Sequence, residues 1–388
     1  MSPASTRSGQ IILAAILAIF VYGVVAAMLG TLMPTFPLTM EQKGNVALAQ
    51  AIGLIIASLS AGPLIDNKGK KTGLLLGLAL IAIALFALPN ASTYGPIMGF
   101  LLLLGLGGGT IVTAANALVS DISEERRAST LNFLNLFFGL GGLATPFIAA
   151  NIVGGNAVKL CYLAAGLTTV TLIVHAVTPM PPPSGERGFK LSETGQLLGK
   201  PVLYLLALFM FLYVTCEVGV WNWLADYLIG QGIDKARALN ILSLGFALGL
   251  LIGRVVVSRI LIRVRAVTVT LAAAILMALT TYIMLQSANP TLAWVAVFCA
   301  GLAMAPVFPT TLAMVGDAFP KATATALGIV ITMGWIGLAV SSPIIGRLAG
   351  EGNVNLKTAL LVLPAASILM VVVNLILRGT MGKARQGA

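Results

Sequence analysis

Cut at its charges, prolines and polar clusters, the chain falls into twelve apolar segments. They lie near 11–36, 46–65, 73–89, 95–120, 128–153, 157–178, 201–229, 238–262, 266–287, 291–315, 322–349 and 356–378. About 20 mainly apolar residues suffice for a helix to cross a hydrocarbon layer of about 30 Å. The segments are rich in Leu, Ala, Ile and Val and lack the polar-apolar alternation of a membrane barrel strand. Only helices and closed barrels satisfy the backbone in lipid, so the fold class expected is an all-α polytopic membrane protein with twelve transmembrane helices. Composition agrees: 58% of the 388 residues are hydrophobic and 9% charged, where globular chains carry about 25% charged residues. This excludes a soluble enzyme, a secreted disulfide scaffold and a free nucleic-acid-binding domain. The polar start ahead of Ile11, with Arg7 and the small Ala26 and Ala27, has the look of a cleavable signal peptide. The full spanning length of the apolar run argues instead for a retained first helix.

The formal charge of +11 is a matter of topology. With the N-terminus and every even-numbered connection on one side, that side collects 17 Lys and Arg and the other 6. This is the positive-inside pattern, which places both termini in the cytoplasm, in a plasma membrane of the bacterial inner type. No nucleic-acid partner is expected. Cys161, Cys216 and Cys299 fall in apolar segments without metal spacing and read as small buried thiols.

Between the sixth and seventh segments runs MPPPSGERGFKLSETG, the longest non-apolar stretch, at the middle of the chain. It reads as a cytoplasmic linker, 179–200, between a six-helix half at 1–178 and another at 201–388. The halves match. Gly105 precedes Asp121 by 16 residues and Gly301 precedes Asp317 by 16, at an offset of 196, and Pro146 lies within one residue of matching Pro343. Several such pairs at about half the length argue for an internal duplication.

The connection after the second segment reads Gly62-Pro-Leu-Ile-Asp66-Asn-Lys68-Gly69-Lys70-Lys71. It resembles the G-x-x-x-D-R/K-x-G-R/K-R/K motif of the major facilitator superfamily, departing at Asn67, where a basic residue is usual. The resemblance covers nearly the whole chain. It implies two pseudo-symmetric six-helix bundles with a substrate site near the midplane between them. It also implies a gating role for Gly62, Asp66, Gly69, Lys70 and Lys71, the two glycines serving a tight turn and Asp66 facing a helix end or a basic residue. Arg254, in GRVVVSR of the eighth segment, is expected to serve the second half's version of that gate.

Charges at membrane depth are costly and so mark function. Among the acids, Glu217 stands in the middle of a span, in FMFLYVTCEVGVWNWLADYL. It suits a group that exchanges a proton, holds Na+ or accepts bonds from substrate hydroxyls. Residues four apart on a helix share a face, so Tyr213, Glu217 and Trp221 form one stripe. Gly219 would loosen the helix just beyond and bring Asn222 and Trp223 toward the cavity. Trp221 and Trp223 also suit interface anchoring. In the first half, Asn116, Asn132 and Asn135 are amides that serve either substrate or helix-helix hydrogen bonds. Tyr22 and Trp335 either line the cavity or pack. His175, near the end of its segment, reads as an interface residue rather than a proton relay.

TAAN at 113–116, LN at 131–132 followed by Asn135, and the run Glu217 to Leu228 resemble the fucose-permease-like sugar symporter group, which includes sodium-dependent glucose transporters. That likeness puts Asn135 where the group has a substrate-contacting glutamine, and Asn116 and Asn132 on its asparagines. Two acids of the pattern are absent, at Val112 and Gly30, so proton symport does not carry over and Glu217 is left for coupling. The expectation is a secondary transporter of a neutral polar solute, a hexose-type sugar, by alternating access with H+ or Na+ coupling. It would act as a monomer in lipid, without a cofactor or a resident metal. The alternative is an exporter of amphipathic compounds. An intramembrane enzyme would need a catalytic constellation that one His and one deep acid do not supply, and no nucleotide motif is evident.

Overall fold

The computed structural model describes residues 3–122, 127–180, 198–287, 289–319, 323–350 and 355–386, and side chains within these except at 3–8, 66, 120–122, 127–133, 323–324 and 381–386. The described residues are helical almost throughout. Among the described residues, twelve helices are long and apolar enough to cross a membrane. They are α1 (Gly9–Thr35), α2 (Met40–Ile65), α3 (Lys70–Asn90), α4 (Tyr94–Val119), α5 (Leu134–Asn151), α6 (Ala157–Val177), α7 (Pro201–Gly230), α8 (Lys235–Ile260), α9 (Ala266–Gln286), α10 (Pro290–Ala318), α11 (Thr325–Ala349) and α12 (Leu356–Thr380). Exposed Leu59, Ile83, Val170, Ile173, Leu279 and Leu369 mark faces that acyl chains would cover.

Local chemistry sets the helix starts. Pro201 opens α7 at a position where its missing N–H costs nothing. Asn156, Asp234 and Asn289 cap α6, α8 and α10 with side-chain oxygens that accept backbone N–H groups. The start of α2 is a reciprocal capping box: the Gln42 N–H donates to Thr39 Oγ1 at 3.2 Å, and the Thr39 N–H donates to Gln42 Oε1 at 3.1 Å. This box starts α2 at Met40, six residues before the apolar run itself begins, and draws Lys43 into the helix.

The chain forms two compact units, one of 1–38 with 45–188, the other of 39–44 with 189–388. In the first, α1 packs on α5, and α3 on α4 and α6; in the second, α7 packs on α11, and α9 on α10 and α12. The duplication extends to single contacts. A Cβ on Gly105 would lie 2.1 Å from the Gln50 carbonyl oxygen, and one on Gly53 would lie 2.3 Å from that of Leu102. Shifted by 196, a Cβ on Gly301 would lie 2.3 Å from the Phe246 oxygen, and one on Gly249 would lie 2.4 Å from that of Phe298. The α2–α4 and α8–α10 crossings are therefore one design written twice, each needing two glycines so that backbones can touch.

Two helices of the second unit are interrupted. In α8 the segment Ile241–Ala247 takes wide π turns. In α10 the helix ends at Met304 and resumes at Val307, across a turn that holds Pro306. Proline lacks the N–H and clashes with the preceding turn, so a break there is expected.

Candidate functional site

Within the second unit, α7 carries the stripe that helical periodicity implies. The half-buried Glu217 carboxylate is flanked by the Tyr213 hydroxyl one turn before it and the Trp221 indole N–H one turn after it, and it lies in the field of the Arg254 guanidinium on α8. The Tyr213 hydroxyl faces the carboxylate without the alignment of a full hydrogen bond.

Both interrupted helices reach this stripe. Phe246, in the π segment of α8, meets Trp221 edge-on with ring centroids 5.2 Å apart at 79°. Phe308, just past the break in α10, meets Tyr213 at 6.4 Å and 44°. Irregular helices at membrane depth are a common way to build a binding site, and π turns often mark functional positions. Carboxylate, guanidinium and aromatic rings thus gather on one face of α7. Such a surface can accept hydroxyl hydrogen bonds, stack against the C–H face of a ring and hold a cation.

The remaining expected residues fall out as follows. Asn222 is buried, and Trp223 is 0% exposed with no hydrogen-bond partner for its indole nitrogen among the described residues. Two residues along a helix turn the side chain by about 200°, so Trp223 points into the packed interior and Trp221, not Trp223, accompanies Glu217. Trp335 is half-buried next to Gly334, which packs against Val214 and Met210 of α7. In the first unit, Tyr22 lies over Gly108, where a Cβ would meet the ring at 2.6 Å, and contacts Phe138 at 5.2 Å. It therefore packs between α4 and α5. Asn116 is half-buried and Asn135 exposed, while the Asn132 side chain lies outside the described residues.

The gating motif divides. Gly69 sits between α2 and α3 with φ of 89°, a conformation that favours glycine. Gly62 does not serve a turn: it lies within α2, whose helical backbone continues beyond the membrane-spanning part at Ile65 as far as Lys68, and a Cβ at Gly62 would meet nothing within 4 Å. Lys70 is buried. The Lys71 ammonium donates to the carbonyls of Ala176 at 2.7 Å and Thr178 at 3.1 Å, capping the C-terminal end of α6, where a cation is favoured. The Asp66 side chain lies outside the described residues. Arg254, expected at a gate, acts on Glu217 and Tyr213. His175 is buried, with Nδ1 2.7 Å from the Thr171 carbonyl. The three cysteines are free thiols. Among the described residues no cluster of three His, Cys, Asp or Glu could hold a metal.

Sequence reasoning missed the ring contacts of Phe246 and Phe308, and it missed a buried ion pair. Lys43 Nζ donates to both carboxylate oxygens of Asp226, at 2.9 and 3.1 Å, with each side chain 5% exposed. Beside it, an exposed Arg347 Nε–Glu41 Oε1 contact spans 3.1 Å. The signal available was the capping box, which moves Lys43 out of a loop and into α2.

A polytopic helical bundle with charge and aromatic rings gathered at membrane depth defines an integral membrane protein that handles a small solute. The sequence model of the Major Facilitator Superfamily matches residues 11–342 and 236–386. The chain therefore belongs to that superfamily and is a secondary transporter, not an enzyme. It is 23% identical over 382 residues to the glucose/mannose transporter GlcP of Bacillus subtilis, covering 93% of each chain. It is 30% identical over 232 residues to a glucose/galactose transporter of Brucella abortus, covering 54% of this chain and 56% of that one. Among solved structures, a D-xylose-proton symporter is similar with a TM-score of 0.78 and 16% identity, over 95% of this chain and 96% of that one. A variant of the E. coli fucose:proton symporter FucP gives 0.67 and 19%, over 95% and 99%. At these identities the structural likenesses speak for the fold.

Proposed function

We propose that the protein carries a neutral polyhydroxylated solute of the hexose type across a bacterial inner membrane by alternating access, coupled to H+ or Na+ at Glu217. It works as a monomer in lipid with both termini cytoplasmic and without a cofactor. The observation that carries this reading is the Glu217 carboxylate at mid-span, flanked by Tyr213 and Trp221 and opposed by Arg254. A carboxylate at that depth is too costly to keep for packing alone. In the half-cycle after the cation leaves, Arg254 supplies the counter-charge that lets the ionised Glu217 stay in the membrane. Rebinding of H+ or Na+ then competes with Arg254, and this competition ties the cation to the solute. Trp221, backed by Phe246, offers a ring face for the C–H surface of a sugar, and the carboxylate accepts its hydroxyls. The sugar-transporting relatives support the choice of solute.

The test is uptake of a labelled hexose panel into proteoliposomes under imposed pH or Na+ gradients, comparing the wild type with Glu217→Gln. The variant should lose gradient-driven accumulation while still exchanging solute down its gradient. Accumulation at the wild-type level in the variant would remove Glu217 from coupling. Failure of every sugar to move, with extrusion of lipophilic dyes, would favour an exporter.

A further inference from the structure

The buried Lys43–Asp226 pair is not used by the transport site. Buried ion pairs add little stability over apolar packing, and their best-attested use is in setting register or switching. Both residues lie one turn inside a helix end: Lys43 is three residues from the start of α2 and Asp226 four residues from the end of α7. At 1.5 Å per residue that is a depth of about 4.5–6 Å. There the charges regain water after a small movement, which a pair at mid-span would not. The segment Thr39–Gly44 packs as part of the second unit, although the chain continues from Asn45 in the first. Its seat is glycine-lined. A Cβ on Gly44 would lie 2.6 Å from the Ser342 carbonyl oxygen of α11, and one on Gly346 would lie 2.5 Å from that of Met40. Ser342 is completely buried there. A contact in which backbones meet at two glycines, pinned by one buried and one exposed ion pair, is suited to parting and remaking with little repacking of side chains.

We propose that Lys43 and Asp226 form a reversible latch, made when the first turn of α2 is seated on α7 and α11 and broken when it leaves during the transport cycle. In the proposed topology the latch faces the non-cytoplasmic side. The inference rests on the transport reading, but its first test needs no solute, so the two can fail separately. Ser342→Cys is labelled with a membrane-impermeant thiol reagent in proteoliposomes, with the parent protein and its native cysteines as the blank. Labelling should be slow with the pair intact, at least tenfold faster with Lys43→Met or Asp226→Asn, and slow again with the swapped pair Lys43→Asp/Asp226→Lys. Equal rates in folded wild type and single variants would overturn the latch. A second arm leaves the buried pair untouched, which keeps the test decisive if the single variants misfold. Glu41→Cys/Arg347→Cys, bridged by a short, reducible bifunctional thiol reagent, should stop solute exchange and recover it on reduction. Undiminished exchange while bridged would show that the segment never leaves its seat.

Discussion

Replacing Gly105 by alanine tests the repeated helix crossing directly. The new Cβ would sit 2.1 Å from the Gln50 carbonyl oxygen, where real Cβ contacts essentially never fall below 3.0 Å. The obstacle is backbone and cannot rotate away, so α2 and α4 must part by about 1 Å, an overpacking strain costing about 1–3 kcal/mol. Gly301→Ala meets the Phe246 carbonyl oxygen at 2.3 Å and should cost nearly the same. Gly166→Ala in α6 and Gly328→Ala in α11 serve as controls, because a Cβ at either meets nothing within 4 Å. Each control gains up to about 1 kcal/mol from alanine's better helix propensity, a gain the crossing variants share. The difference between crossing and control variants therefore isolates the strain, roughly 5- to 150-fold in the unfolding equilibrium. Reversible unfolding in mixed micelles, followed by tryptophan fluorescence, reads it. Should Gly105→Ala prove as stable as Gly166→Ala, the backbones do not touch there. A large cost at Gly105 with none at Gly301 would refute the view that the two crossings are copies.

Other expectations concern charge and turn geometry. Lys43→Met should destabilise by about 3–5 kcal/mol because it strands a buried carboxylate, whereas Lys43→Met/Asp226→Leu should return to within about 1–2 kcal/mol of wild type; equilibrium unfolding of the set checks it, and additive losses would contradict it. Gly69→Ala should cost about 1–3 kcal/mol, because φ of 89° with ψ of 156° is open essentially to glycine alone, against no loss for Gly62→Ala, so equal effects on melting temperature would remove the distinction drawn within the motif. Lys71→Met should loosen the end of α6 by about 1 kcal/mol, seen as faster amide exchange at 175–178, and unchanged exchange would discount the cap. Arg254→Gln should impair gradient-driven accumulation more than solute exchange; an equal loss of both would point to a role in holding solute instead.

Hydropathy and helical period are local properties, and what depends on them was legible in the chain. The twelve spans follow from apolar run length, the duplication from Gly105 and Gly301 at a shared offset, and the Tyr213–Glu217–Trp221 stripe from a spacing of four. The same period, followed further, would have turned Trp223 away from the stripe. What stayed hidden depends on which surfaces meet. Lys43 and Asp226 stand 183 residues apart, and nothing within either helix states that the two ends share a seat. Nothing in the sequence shows that Lys71 meets the end of α6, and nothing there sets Phe246 and Phe308 apart from other apolar residues until interrupted helices aim them at Trp221 and Tyr213. Sequence by itself determined the solvent, the helices and the faces they offer, because covalent spacing fixes those over a few residues. Only tertiary packing decided the partners, because Coulomb attraction and ring contact act over a few ångströms and are indifferent to distance along the chain.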